Sequence, residues 1–122
     1  MKIIDCFMFF DEKMMLDIRL NILDQHVTHF VICEATYNHK GEAKPLNFNI
    51  NDYAKFKNKI TYIVLDKQPK NLRKIDEGDS INEKNSKILD NAVFRENYQR
   101  NYLVTQLNGF SDNDLILIND LD

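Results

Sequence analysis

The fold is decided by the stretch IIDCFMFF, residues Ile3 to Phe10, an apolar and aromatic run that a single carboxylate interrupts. Such a run is typical of a strand covered on both faces, as in a parallel sheet. Asp11 then follows as the predicted cap of a helix over Glu12 to Gln25, whose apolar residues recur at helical spacing. The first unit of the chain is therefore predicted to be a β-strand followed by an α-helix.

Three more strands of buried type are predicted along the chain, at His29–Cys33, Ile60–Leu65 and Leu115–Ile118. A short helix over about Asp52 to Asn58, with Asn51 as its cap, separates the second and third strands. After a long polar loop over Asp66 to Asn85, a long helix is predicted over Ile88 to Asn108, with Gly109 at its C′ position. Alternating strands and helices imply right-handed crossovers and a mostly parallel sheet, the α/β class.

The composition excludes several classes of protein. The chain has 122 residues, 43% of them hydrophobic, and a net charge of -3 with basic and acidic residues interspersed. This pattern argues against a nucleic-acid partner and against a polybasic membrane anchor. No run approaches the ~18 to 20 apolar residues of a membrane span, so we expect a soluble piece in the cytoplasm or at the cytoplasmic face, as in a microbial or viral protein. Cys6 and Cys33 lie in apolar runs and are predicted to be free core thiols.

The carboxyl ends of the four predicted strands are polar, and in a parallel sheet they converge on one crevice where ligands bind. The chain has no Gly-x-Gly-x-x-Gly after its first strand and no Gly-x-x-x-x-Gly-Lys-Ser/Thr, so a phosphate would need a metal or side-chain cations. Asp120 and Asp122, spaced i, i+2 after the last strand, can bind one hard cation. The alternative is that they cap a following helix or merely end a strand.

A dense polar segment, Arg95-Glu96-Asn97-Tyr98-Gln99-Arg100-Asn101, lies on the long helix just before that strand. Helical spacing stacks Glu96 with Arg100 at i, i+4. A solvated helix face is the ordinary explanation of such a segment. Two arginines among so many hydrogen-bonding side chains instead favour a helix beside an anionic ligand.

These residues resemble those of glycosyltransferase family 17, the β-1,4-mannosyl-glycoprotein β-1,4-N-acetylglucosaminyltransferases. The resemblance is colinear along essentially the whole chain and is carried by Ile4–Glu12, Asp17–Leu20, Phe30–Thr36, Lys44–Phe48, Arg95–Asn101 and Asp120–Asp122. Leu121 departs from the Asp-Val-Asp form that we associate with the family, at a position whose side chain is not a ligand.

The resemblance implies a GT-A-type, Rossmann-like, mostly parallel sheet with flanking helices, truncated after the Asp-x-Asp strand. It implies UDP-N-acetylglucosamine as donor, a glycan or glycoprotein acceptor, and a divalent metal, Mn²⁺ with Mg²⁺ as the alternative. Asp120 and Asp122 would be the metal residues. The donor-binding residues would be Phe9, Phe10, Glu34, Thr36, Arg95, Glu96, Gln99, Arg100 and Asn101.

Family chains continue past this motif, so residues 1–122 would be the nucleotide-sugar-binding half of the domain. The catalytic base would lie beyond Asp122, and the last strand would form an exposed sheet edge. If the chain is part of an animal-type enzyme, its location would be the Golgi membrane.

Two alternatives to an active transferase remain at the level of sequence. One is a catalytically inactive fragment that binds a nucleotide or a partner without turnover. The other is a haloacid-dehalogenase-like phosphatase, in which Asp120 and Asp122 supply nucleophile and acid. That class normally places its Asp-x-Asp at the start of the domain, whereas here it follows three strand–helix units, so the order disfavours it.

Overall fold

The protein is described by a computed structural model that covers residues 1–121. Its elements in chain order are β1 (Ile3–Phe9), α1 (Lys13–Leu23), β2 (His29–Ala35), a 3-10 helical segment (Ile50–Lys59), β3 (Ile60–Leu65), α2 (Ile81–Thr105) and β4 (Leu115–Asn119). The four strands form one sheet in the order β3-β2-β1-β4, and every pairing is parallel. The predicted α/β class with a parallel sheet and flanking helices is confirmed.

Both faces of the two inner strands, β1 and β2, are covered, which explains their mostly apolar character. On one face, Leu16 and Leu20 of α1 pack with Phe7, Phe30 and neighbouring aromatic side chains. On the other, Leu103 of α2 packs against residues of alternating register such as Cys6 and Cys33. Because successive residues of a strand point to opposite faces, each strand must be apolar at every position that is covered.

The predicted helix boundaries need correction at their starts. α1 begins at Lys13 after Glu12, and no side chain caps it, so the prediction of Asp11 as a capping residue is wrong. The 3-10 segment is capped by the side chain of Asn49, which accepts from the backbone N–H of Asn51, rather than by Asn51 itself.

The long helix α2 begins earlier and ends earlier than predicted. Ser80 caps it by accepting a hydrogen bond from the backbone N–H of Glu83 at 3.1 Å, so residues 81–87 are helical although they are polar. A Ser-x-x-Glu sequence is a helix-start signal that operates without apolar periodicity. The helix ends at Thr105, and Gly109, with φ +77°, lies in the following connection rather than at C′.

β4 lies at an edge of the described sheet, where it pairs only with β1. Its apolar side chains are 37–45% exposed on both faces, and they are Leu115, Ile116, Leu117 and Ile118. The predicted exposed sheet edge is thus present. Within residues 1–121, no helix has both the length and the apolar character that crossing a bilayer requires.

The two thiols are free and buried, and burial raises the pKa of both Cys6 and Cys33 to about 12. At pH 8 their thiolate fraction is then on the order of 10³-fold below that of an ordinary cysteine with a pKa near 8.5. We expect iodoacetamide to leave both thiols of the native protein unmodified under conditions that alkylate both within minutes in guanidinium chloride. Mass spectrometry of the two samples measures this. Rapid alkylation of either thiol in the native chain would contradict the packing of the strand that carries it, β1 for Cys6 or β2 for Cys33.

Candidate functional site

A cavity of about 230 Å³ opens at the carboxyl ends of β1, β2 and β4, beside the middle of α2. Its lining combines aromatic, basic and acidic side chains with a few apolar ones: Met8, Phe9, Phe10, Glu12, Ala35, Tyr37, Asn38, His39, Lys44, Arg95, Glu96, Gln99, Asp120 and Leu121. This is the crevice at which parallel α/β sheets bind ligands. Six of the predicted site residues line it, namely Phe9, Phe10, Arg95, Glu96, Gln99 and Asp120.

Asp120 presents an exposed carboxylate at the end of β4. Its neighbour Leu121 is only 5% exposed and packs into the core with the α1 face. The buried leucine therefore anchors the chain directly after the strand and leaves the Asp120 side chain facing solvent and cavity. Asp122, the second predicted metal residue, lies outside the described residues.

Arg100 connects α2 to the end of β4. Its Nη2 donates to Oδ1 of Asp120 at 3.1 Å and to Oε1 of Glu96 at 3.3 Å, and its Nη1 donates to Oδ1 of Asn97. The predicted i, i+4 pairing of Glu96 with Arg100 is confirmed. Because these side chains are partly exposed, the pairs contribute at most about 1 kcal/mol to stability, and their effect is mainly to orient the carboxylates.

Arg95 holds a loop against α2. Its Nη1 donates to the backbone carbonyl of His39 at 2.8 Å, and its Nε donates to Oε1 of Gln68 at 2.9 Å. Gly41, with φ +83°, lies directly against the guanidinium, where a Cβ would approach within 2.5 Å of Arg95 Nη2. Arg95 thus lines the cavity and holds the 37–41 loop both directly, through His39, and through Gln68, which itself donates to the carbonyl of Gly41 at 3.1 Å.

Glu34 is fully buried and does not line the cavity. Its carboxylate accepts hydrogen bonds from the Lys44 ammonium at 2.5 Å, from the backbone N–H groups of Asn47 and Phe48, and from the Tyr62 hydroxyl at 2.7 Å. Burial and the bond to Glu34 raise the pKa of Tyr62. Because four donors already bind it, this carboxylate has a structural role. It holds the 44–48 loop against β2 and β3.

Gln99 is also buried and donates from Nε2 to the carbonyl of Cys33 at 3.0 Å, which ties α2 to the end of β2. Phe10 borders the cavity, with its ring 6.2 Å from that of His39 at an interplanar angle of 23°. Phe9 reaches the cavity but is packed in the core, edge-on to Phe48.

Four predicted donor residues lie outside the cavity lining, namely Glu34, Thr36, Arg100 and Asn101. The Thr36 hydroxyl donates to Oδ1 of Asp66 at 2.8 Å and so links the carboxyl ends of β2 and β3. Asn101 is exposed on α2, beyond the residues that face the cavity.

The sequence reasoning missed a buried ion pair beneath the site. Asp5, which interrupts the apolar run of β1, has no solvent exposure and pairs with Arg19 of α1. Arg19 Nε donates to Oδ2 at 2.7 Å and Nη2 donates to Oδ1 at 2.8 Å, a two-point fork that raises the pKa of the guanidinium. A charged residue inside a buried strand signals such a partner, but sequence spacing does not say which one it is.

Other lining residues were not among the predicted site residues, although the sequence placed Glu12 at a strand end and Lys44 on a loop that could approach a phosphate. His39 and Lys44 come from a loop, and Lys44 Nζ lies 5.3 Å from the centre of the Phe10 ring. Glu12 adds a further carboxylate to the lining. Loop residues carry no periodicity, so only the fold brings them to the carboxyl ends of the strands.

The described residues can serve a divalent cation only as partial ligands. Residues 1–121 contain no group of three His, Cys, Asp or Glu side chains arranged to hold a metal. Mg²⁺, a hard cation, usually keeps several waters and binds one or two carboxylates together with substrate phosphates, so an exposed Asp120 at a cavity fits that donor set. Oδ2 of Asp120 accepts no hydrogen bond from any described residue, whereas Oδ1 accepts one from Arg100.

A four-stranded parallel sheet with flanking helices and a polar cavity at its carboxyl ends defines the molecule as an α/β domain of the Rossmann-like class. The model of the family described as Glycosyltransferase family 17 matches residues 1–122, so the chain belongs to glycosyltransferase family 17. Its class of activity is therefore glycosyl transfer, from an activated sugar donor to an acceptor. No curated protein and no solved structure matches the chain.

The contact between Gly41 and Arg95 yields a matched pair of substitutions. Gly41→Ala places a methyl group against the guanidinium, whereas Gly109→Ala meets the same positive φ with no atom within 4 Å. We expect both to be destabilising by about 1 kcal/mol through φ strain, and Gly41→Ala by a further ~0.5–1.5 kcal/mol as Arg95 loses its exposed hydrogen bonds. Urea unfolding measures both, and equal effects would contradict the role of Arg95 as the loop anchor.

Proposed function

We propose that this chain binds UDP-N-acetylglucosamine in the cavity at the carboxyl ends of β1, β2 and β4, as the donor site of a metal-dependent, inverting N-acetylglucosaminyltransferase. The acceptor would be a mannose-containing or other glycan, free or on a glycoprotein. The observation that carries the proposal is the exposed Asp120 carboxylate, held by Arg100 at the mouth of the cavity. Family membership supports the reaction class, and the donor follows from the N-acetylglucosaminyltransferase resemblance.

The charges around the cavity support a divalent cation and, through it, a diphosphate-bearing ligand. Lys44 and Arg95 line it as cations, while Glu12, Glu96 and Asp120 provide carboxylates that a divalent ion could share with a diphosphate. At about 230 Å³ the cavity is below the ~300–1,000 Å³ of a typical small-molecule site, so it would enclose one part of the donor and leave the rest at its open side.

Each residue has a specific task in this proposal. Asp120 would hold the cation, Mn²⁺ or Mg²⁺, with Asp122 as the second carboxylate of the motif. Arg100 keeps the Asp120 side chain turned toward the cavity, and Glu96 holds Arg100 from the preceding turn of α2. When bound, the cation would neutralise the diphosphate and make UDP a better leaving group.

The nucleoside would lie against Phe10, whose ring already stacks with His39 and lies under the Lys44 ammonium. Arg95 and Gln99 act at this end by holding the 37–41 loop and the end of β2, which form the walls. Inversion needs a base to deprotonate the acceptor hydroxyl, and we assign no such base within residues 1–121.

Calorimetric titration with UDP-N-acetylglucosamine tests the proposal. We expect binding to require Mn²⁺, and Asp120→Ala to weaken the metal-dependent binding at least tenfold because the cation loses a charged ligand. Asp112→Ala is the matched control, since it removes an exposed carboxylate from the turn before β4 at a position outside the cavity lining. It should bind like the unmodified chain.

Three results would count against the proposal. Equal binding of the donor with and without Mn²⁺ would show that the metal is not part of the site. Equal donor affinities of the Asp120→Ala and Asp112→Ala variants would show that Asp120 is not part of it. No binding by the folded chain would leave residues 1–122 as a nucleotide-independent module.

A further inference from the structure

Asp120 lies just past the point where the sheet can fix it. The register between β1 and β4 ends with Phe7 opposite Asn119, so the carbonyl groups of Asp120 and Leu121 lie beyond the paired residues. β4 is also an edge strand, with no partner on its outer side among residues 1–121. A carboxylate just beyond the paired residues of an edge strand would be poorly oriented without another anchor.

Arg19 supplies that anchor from α1. Its Nη1 donates to the carbonyl of Asp120 at 3.3 Å and to the carbonyl of Leu121 at 3.5 Å, while Nε and Nη2 remain bound to Asp5. The guanidinium also lies 5.2 Å from the centre of the Phe7 ring. The planar guanidinium group thus links α1, β1 and the end of β4.

Asn119 completes the arrangement, because its Nδ2 donates to Oδ1 of Asp5 at 3.1 Å. Asp5 therefore accepts from the guanidinium of α1 and from the last residue of β4. A buried carboxylate with three charge-assisted or amide donors fixes the distance between β1 and β4 at the cavity end of the sheet.

We infer that Arg19, held in place by Asp5, is a positioning residue for donor binding. It fixes the backbone of residues 120–121 and thereby orients the Asp120 carboxylate toward the cavity, where it would hold the cation. The inference rests on the proposed function for its ligand, a nucleoside diphosphate with a divalent cation. Arg100 orients the same carboxylate from α2, so the two arginines hold Asp120 by its main chain and by its side chain.

Arg19→Lys tests this with the ion pair retained. A lysine can still pair with Asp5, but a single ammonium lacks the planar fork that bonds Asp5 and two carbonyls together. Mutation of residues that orient the ligands of a metal typically lowers the metal affinity 10- to 100-fold. We expect that loss in the Mn²⁺-dependent affinity for UDP-N-acetylglucosamine, measured at a temperature where circular dichroism shows the variant to be folded.

The control is Arg73→Lys, which makes the same chemical change in the exposed pair of Arg73 with Asp90, outside the cavity lining. It should change neither affinity nor backbone order. A second variant guards against misfolding: Asp5→Leu with Arg19→Met replaces the buried pair by apolar groups of similar size, which is often tolerated. It should fold and show the same loss of affinity.

A ligand-free readout separates this inference from the proposed function. We expect ¹⁵N order parameters of Asp120 and Leu121 to fall from about 0.85 to below about 0.6 in Arg19→Lys, with the rest of the sheet unchanged. Unchanged order parameters at these two residues would overturn the inference, whatever the donor does. If order falls as expected but Asp120→Ala leaves donor binding intact, the proposed function fails and the positioning of this segment stands.

Discussion

The structure depends on one buried ion pair. Asp5 lies in the inner strand β1 with no solvent exposure. Arg19 of α1 donates from Nε and Nη2 to its two carboxylate oxygens at 2.7 and 2.8 Å. An uncompensated charge at that position would cost several kcal/mol, so the pair fixes α1 against the sheet at one angle. The same guanidinium reaches the carbonyls after β4. The constraint that lets a carboxylate exist inside this core therefore also sets the geometry of the cavity edge.

The connection between β2 and the 3-10 segment, and the middle of α2, are also held by polar contacts. Arg95 holds the 37–41 loop, Glu34 holds the 44–48 loop through Lys44, and Gln99 ties α2 to the end of β2. Each of these side chains works at the carboxyl end of the sheet, where no strand pairing is left to order the backbone. The walls of the cavity are thus loops that polar side chains hold in place. This is the organisation expected of a preformed ligand site.

The strands and the parallel sheet could be predicted from the sequence because runs of apolar and β-branched residues mark strands, and the predicted bounds of Ile60–Leu65 match the structure at both ends. The prediction that this strand is buried was wrong, because it lies at the edge of the sheet and only Leu65 in it is buried. The start of α2 could not be placed by periodicity, since its first turns are polar and depend on the Ser80 cap. The tasks of Glu34 and Arg19 were also beyond prediction. Their partners are 10 to 14 or more residues away in sequence, and long-range pairing is decided by the fold rather than by spacing.

The central claim is that a metal-bound nucleotide sugar occupies the carboxyl end of this sheet. Mn²⁺ is paramagnetic and broadens the NMR signals of nearby amides, so ¹⁵N spectra recorded with UDP-N-acetylglucosamine and substoichiometric Mn²⁺ would locate it. The account predicts selective broadening at Phe10, Ala35 and Asp120, with the opposite strand ends at His29 and Ile60 unaffected. Broadening centred on those opposite ends, or spread evenly over the acidic surface, would contradict it.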